Sequence, residues 1–291
     1  MRKLIYCSVL LLFIAGCSQQ QPSETAGDND GQGEVINEAV AAEDTESENM
    51  QTETETETET EEEAEDNAEE DEESSEEEVK EPLYTINEAN WSVQPIGDAN
   101  EKVALLTIDD APDKHALEMA ETLKSLDAPA IFFVNGHFLD TDEEKEVLKK
   151  IHEMGFPIGN HTATHASLPD LTEEEQQAEI VDLNEVIASI IGEKPKFFRA
   201  PFGQNTDYSK ALAKSEGMTL MNWTYGYDWE AQYQNKEGIA DIMVNTELLS
   251  SGANLLMHDR TWTNEAMADI VNGLRDKGYE ILDPELIQTP Q

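Results

Sequence analysis

Cysteine is almost missing from this sequence. Among 291 residues only Cys7 and Cys17 carry a thiol, and both fall within the first 17 positions. A folded part further along the chain therefore has no internal disulfide, and it must rest on an apolar core, a bound metal, or both. Positive charge is scarce too: 18 Lys and Arg stand against 64 Asp and Glu, for a formal net charge of −46. Such a chain repels polyanions, so nucleic acid and anionic lipid faces are not expected partners. Only one long apolar run occurs, Leu4 to Ile14, which is too short for a lasting membrane span. Between residues 18 and 82 there is no aromatic residue at all.

What is present divides the chain into three parts. Arg2 and Lys3, the apolar run and the small residues before Cys17 read as a secretory signal over residues 1–16. Its "IAGC" ending resembles a bacterial lipobox, which implies cleavage before Cys17 and a lipid on that thiol; an ordinary signal with an incidental cysteine is the alternative. Residues 17–82 follow as a lipidated cysteine and an acidic stretch. Residues 18–82 hold 27 of the 64 acidic residues and, in Lys80, one of the 18 basic ones. The stretch buries too little to offset its ordering entropy, so a disordered linker is expected. Like-charge repulsion extends it further. Some 65 residues reach at most roughly 220 Å, and a flexible coil of that length averages nearer 45 Å. This fits a tether that lifts a domain off the membrane, the alternative being a cation-binding or partner-recruiting tail. The remaining 83–291 keep 37 acidic and 15 basic residues and have globular composition.

In that last part apolar, β-rich runs recur at 103–108, 130–135, 156–160, 196–201, 219–224, 254–258 and 279–283, with helical spacing between them. Thr141 with Glu144 and Thr172 with Glu175 match capping boxes. Across 172–191, Ile180, Leu183, Ile187 and Ile190 mark one apolar helix face. Seven strand candidates alternating with helices predict a parallel α/β fold, either an open sheet or a barrel. Unusual polar residues sit at the carboxyl ends of these runs: "DD", "NHTATH", "RAPFG", "YDW" and "HD". Parallel sheets build their sites on that edge, so five distant segments are placed to converge.

Each segment has a chemical reading beside a plain one. Asp109 and Asp110 repel one another unless a cation or donor divides their duties, one ligating a metal and the other acting as base; alone, the pair also fits a surface turn. His161 and His165 can face one cation if their segment is helical or tightly turned. With one Asp they offer two nitrogens and an oxygen, which leaves a tetrahedral position for water. Arg199 can hold a carboxylate by paired hydrogen bonds, while Pro201 and Gly203 fix a turn able to aim a backbone N–H at an oxyanion; a structural ion pair is the alternative. His258 stands next to Asp259 and Asp228 next to Trp229. A carboxylate beside an imidazole raises its pKa, and a tryptophan at a cleft edge offers a flat face to a sugar. His115, His137 and His152 show no such company.

In sum, these motifs resemble those of the polysaccharide deacetylases, the carbohydrate esterase family 4 group sharing the NodB homology domain. "TIDDAP", "HTATH", "RAPFG", "YGYDW" and "LMH" match its five motifs in order over roughly 100–285. The resemblance implies a distorted (β/α) barrel of about seven parallel strands with a divalent metal, zinc first and cobalt, nickel or manganese as alternatives. It further implies Asp109 as general base, Asp110, His161 and His165 as metal ligands, and Arg199 as the residue orienting the base. His258 is implied as general acid tuned by Asp228; Pro201, Phe202, Trp229 and Leu256 fall at substrate positions, with the Phe202 N–H toward the oxyanion. Ala111 and Ile108 depart from the family pattern, as does Tyr225, which replaces an aspartate. The implied activity is removal of N-acetyl groups from an amino-sugar polymer, peptidoglycan first, then chito-oligomers or poly-N-acetylglucosamine. An O-acetyl esterase and a non-catalytic wall-binding lipoprotein stay open as alternatives. The expected protein is a monomer outside the cytoplasm, lipid-anchored at Cys17 and facing the cell wall.

Overall fold

The computed structural model describes residues 81–290; the leader, Cys17 and the acidic stretch through Lys80 lie outside the described residues. The elements in chain order are β1 (Tyr84–Ile86), β2 (Val93–Pro95), β3 (Val103–Ala111), α1 (Ala116–Ser125), β4 (Ile131–Val134), α2 (Asp142–Glu153), β5 (Ile158–Asn160), α3 (Glu173–Gln177) and α4 (Leu183–Ile191). There follow β6 (Phe197–Phe198), α5 (Asp207–Ser215), β7 (Thr219–Leu220), α6 (Lys236–Asn245), β8 (Ala253–His258), α7 (Thr261–Asp276) and β9 (Glu280–Ile281). All seven apolar runs become strands of one parallel sheet in the order β7-β6-β5-β4-β3-β8, with β9 paired to the start of β3. The stretch after β7 crosses the open side: Thr219 and Leu220 pair with β6, while Tyr225 bridges to Leu255 of β8 at the opposite edge. One run thus touches both edges of the curled sheet, as the expected distorted barrel requires.

Side-chain alternation explains how this barrel is filled. Along β3, Ala104, Leu106 and Ile108 face the helical layer and pack with Met119, Leu148, Ile187, Met243 and Ile270. Val103 and Leu105 face inward with Ile131, Phe133 and Phe197. Each of the fully buried Val, Leu, Ile, Phe and Met side chains among them contributes ~1.5–3 kcal/mol. Continuing the inward row toward the carboxyl end gives Thr107 and Asp109, so the same face is oily below and polar above. Gly159 of β5 has no side chain for a reason of space: a Cβ there would lie 2.5 Å from the Phe133 ring.

Three features differ from the sequence reading. A hairpin, β1 with β2, plugs the lower end through Tyr84, Ile86 and Val93; its three-residue strands show no readable periodicity. The apolar run 172–191 is not one α-helix: a π segment, Ala178–Asp182, separates α3 from α4. Ile180, Leu183 and Ile187 are buried, whereas Ile190 is half-buried. Both predicted capping boxes form, and a third joins Thr206 to Ser209. Among the described residues no helix is long and apolar enough to cross a membrane.

Candidate active site

Alternation brings Asp109 (β3), His161 (after β5), Arg199 (after β6) and His258 (end of β8) to the upper inward face. Asp110, next in line, would by the same rule point into the helical layer. It does not, because β3 bulges there: the register with β4 shifts between Ile108 and Ala111, and Asp110 takes φ +60°. The extra residue turns its carboxylate back beside that of Asp109. Adjacent carboxylates therefore share one cleft, each with its own guanidinium. Arg199 Nη1 donates to Asp109 Oδ1 at 2.6 Å and to Thr107 Oγ1 at 2.8 Å, while Nη2 donates to the Asn222 carbonyl at 2.9 Å. Arg199 is fully buried, its guanidinium 4.2 Å from the centre of the Phe133 ring. Arg260 Nη2 donates to Asp110 Oδ2 at 2.7 Å.

The other oxygens face the histidines. His161 Nε2 lies 3.5 Å from Asp109 Oδ2 and 3.9 Å from Asp110 Oδ1, and His165 Nε2 lies 3.6 Å from Asp110 Oδ1. The segment carrying these rings is a turn rather than a helix, with Thr162 at φ +70° and His165 at φ +59°. Two carbonyls of the π segment accept bonds from it or its root: Ala163 N donates to Glu179 O at 2.9 Å, and Asn160 Nδ2 to Ile180 O at 2.8 Å. The Glu179 carboxylate accepts from Thr164 N and Oγ1 at 2.8 and 2.6 Å. His161 Nδ1 donates to the Arg199 carbonyl at 2.7 Å, which leaves Nε2 as the unprotonated nitrogen of a neutral ring. Burial, the largest influence, lowers the His161 pKa against the opposing pull of Asp109. For Asp110 burial pushes upward, but His258, His161, Arg260 and His165 together prevail and its pKa is lowered. One ligand atom from each of Asp110, His161 and His165 lies within 4.8 Å of the other two.

Across the cleft His258 is held differently. Its Nδ1 lies 2.7 Å from Asp228 Oδ1, and its backbone N donates to Asp228 Oδ2 at 2.6 Å. Thr263 Oγ1 also donates to Oδ2, and Trp262 Nε1 to the Asp228 carbonyl. Burial works to lower the His258 pKa, but the hydrogen bond and charge of Asp228, with Asp109 and Asp110 behind, leave it raised. Asp259, the sequence neighbour of His258, has another duty. Its carboxylate accepts from Lys114, His115 and Ala116 N at 2.6–3.0 Å, and so caps the start of α1.

Exposed aromatic rings stand beside His165 and His258. Phe202, 60% exposed and at φ +58°, meets His165 edge-on at 4.8 Å. Trp229, 48% exposed, meets His258 edge-on at 5.7 Å. A Cβ on Gly226 would come within 2.8 Å of the Trp229 ring and 2.5 Å of the Leu256 carbonyl, so the ring packs there only over a glycine. Pro201 and Leu256 are buried beneath. Tyr225 points away from the cleft, its hydroxyl donating to Met243 O of α6 at 2.7 Å. Burial raises its pKa.

All the sequence-derived positions in the folded part thus lie at one sheet edge, apart from Asp259, which turns to α1. Thr107, Glu179 and Arg260 were not found from sequence. Arg260 had a signal, being the third residue of "HDR", but its partner is 150 positions away. The three remaining histidines do have partners outside the cleft: His115 with Glu118 and Thr261, His137 with the Ala163 carbonyl, and His152 with Glu193.

The parallel sheet thus gathers a carboxylate pair and three imidazoles at its carboxyl edge. Residues 96–251 match the family described as polysaccharide deacetylase, and the chain belongs to that family. A peptidoglycan-N-acetylglucosamine deacetylase of Bacillus cereus is 31% identical, over 62% of this chain and 68% of that protein. The solved peptidoglycan deacetylase PdaC from Bacillus subtilis superposes with TM-score 0.57 at 29% identity, over 64% of this chain and 90% of that one. Wild-type BA3943 from Bacillus anthracis, described as a family pseudoenzyme, superposes with TM-score 0.57 at 27% identity, over 62% of this chain and 63% of that one.

Proposed function

We propose that the protein is a divalent-metal-dependent hydrolase removing N-acetyl groups from a wall glycan, with peptidoglycan N-acetylglucosamine or N-acetylmuramic acid as substrate. The observation that carries it is the convergence of Asp110, His161 and His165 beside a second carboxylate, Asp109, whose outer oxygen Arg199 holds. The donor set suits a metal on chemical grounds. Nδ1 of His161 is engaged as donor, so the neutral ring that burial favours presents the Nε2 lone pair to two carboxylates, an arrangement that a bound metal ion relieves. Asp110, His161 and His165 would hold a zinc-like ion, which would supply polarisation of the amide carbonyl and a more acidic water.

The protein's own groups then divide the proton transfers. Asp109 keeps Oδ1 on Arg199, which leaves Oδ2 to take a proton from water as its oxygen bonds to the acetyl carbon. The Phe202 N–H is assigned to the developing oxyanion. His258, with Nδ1 on Asp228, gives the proton on Nε2 to the sugar nitrogen as the C–N bond breaks, releasing acetate and a free amine. Phe202 and Trp229 wall the entrance, and Leu256 lines its floor. Curated relatives named as peptidoglycan N-acetylglucosamine and N-acetylmuramic acid deacetylases support the substrate. We assign the domain to the end of an acidic tether anchored through Cys17 outside the cytoplasmic membrane.

The pseudoenzyme relative favours a second reading, a glycan-binding module without turnover; here every acid, base and ligand position is filled. Acetate release from N-acetylated and O-acetylated oligosaccharides, with and without chelator, decides. Release from the N-acetylated substrate alone, abolished by chelator and restored by zinc, supports the deacetylase. Release from the O-acetylated substrate alone makes it an esterase. No release from either, with sugar binding intact in Asp109→Ala, makes it a binding module.

A further inference from the structure

We propose that Arg260 is a positioning residue that fixes Asp110 as a ligand through one oxygen only. The inference rests on the metal reading above and concerns a residue that reading does not use. Three observations carry it. First, the two oxygens of Asp110 have separate partners: Oδ1 faces His161 and His165 at 3.9 and 3.6 Å, and Oδ2 accepts from Arg260 Nη2 at 2.7 Å. A carboxylate whose second oxygen is engaged by a guanidinium offers the remaining one to a cation.

Second, Arg260 is itself anchored. Its Nη1 donates to the Asp259 carbonyl at 3.0 Å, so both arms of the fork are engaged. Asp259 N donates to the Asp109 carbonyl at 3.0 Å, and its carboxylate grips three N–H groups at the start of α1. The root of Arg260 is thereby tied to the bulged end of β3, the very segment whose carboxylate it holds. A lysine lacks the second arm and would hold Asp110 as a point charge.

Third, Asp110 sits at φ +60° in a bulge, where its side chain has no strand alternation to direct it. Asp109 next to it is locked by a buried arginine. Arg260, only partly covered, does the equivalent for Asp110 from the neighbouring strand end; its other carboxylate contact, Asp113, is at 3.8 Å. The third consecutive residue of His258-Asp259-Arg260 thus completes a set in which one faces the cleft, one caps a helix and one aims a ligand.

The test compares metal-free full-length wild type with Arg260→Met, Arg260→Lys and Asp113→Asn, titrated with Co²⁺ and followed by visible absorption and calorimetry. Partners of ligands change metal affinity by ~10–100-fold, and that loss is expected for Arg260→Met. Arg260→Lys should fall between it and wild type, and Asp113→Asn should match wild type. The Co²⁺ bands of Arg260→Met should also weaken as Asp110 becomes free to bind through both oxygens and coordination rises, a change that a merely structural role would not produce. If Arg260→Met does not fold, Arg260→Lys alone decides. Binding equal to or tighter than wild type in the Arg260 variants overturns the inference and leaves the metal site standing. Failure of wild type itself to bind Co²⁺ or Zn²⁺ overturns the metal reading, and this inference with it.

Discussion

His161 and His258 each point Nδ1 at a hydrogen-bond partner, a backbone carbonyl for the first and the Asp228 carboxylate for the second. A carbonyl can only accept, so it keeps a proton on Nδ1 and, in the neutral ring that burial favours, leaves Nε2 bare. A carboxylate stabilises the imidazolium, so it keeps a proton on the ring. Burial acts downward on both pKa values, and only at His258 do charge and hydrogen bonding outweigh it. In the proposed reaction the same side chain serves as a metal donor on one side of the cleft and a proton donor on the other. The partner behind Nδ1 differs between the two rings, and only the carboxylate brings a charge that offsets burial.

The strongest way to break this contrast is to remove Asp109, the proposed base. Asp109→Asn should lower kcat by about 10⁴-fold, at the top of the range for proton-transfer groups, with metal content by elemental analysis unchanged. His258→Gln should cost ~10²–10³-fold and abolish the alkaline limb of an otherwise bell-shaped pH profile. A rate in wild type that keeps climbing into alkaline pH would remove His258 from the acid role. The raised pKa of His258 also bears on stability: its contribution is full below the ordinary value of 6.5 and disappears as pH rises through the folded value. The difference in unfolding midpoint between wild type and His258→Gln should therefore narrow above neutrality.

A milder change sharpens the comparison. Asp228→Asn leaves burial as the main influence on His258, so the alkaline limb of kcat/KM should move toward lower pH, with ~10-fold less activity on that limb. Smallest of all, Tyr225→Phe removes one buried hydrogen bond to α6. It should cost about 1 kcal/mol of stability by denaturant titration and leave kcat unaltered, because Tyr225 faces the helices and not the cleft.

Much of this was readable before any coordinates. Short continuous apolar runs between helical stretches identify strands buried on both faces, and the polar residues that end those runs are the ones a parallel sheet gathers at one edge. Asp109, His161, Arg199 and His258 follow that logic. Asp110 does not, since its direction comes from a bulge that leaves no trace in residue type. Asp259 misleads for a related reason: adjacency suggests that it serves His258, but neighbours along a strand face opposite ways, and the carboxylate that arrives comes from Asp228. Arg260 and Glu179 act across 150 and 15 residues through contacts without periodicity. The hairpin of β1 and β2 is too short to announce itself.

The wide turn at Ala178–Asp182 carries a residue that an ordinary helix would leave out. Shortening the chain there by one position would give α3 and α4 a continuous regular pitch, which a designer seeking heat resistance would count as an improvement. It would also swing Glu179 and Ile180 about 100° around the axis, away from the turn bearing His161 and His165. Smoothing that irregularity would trade a better helix for a slack grip on the histidines.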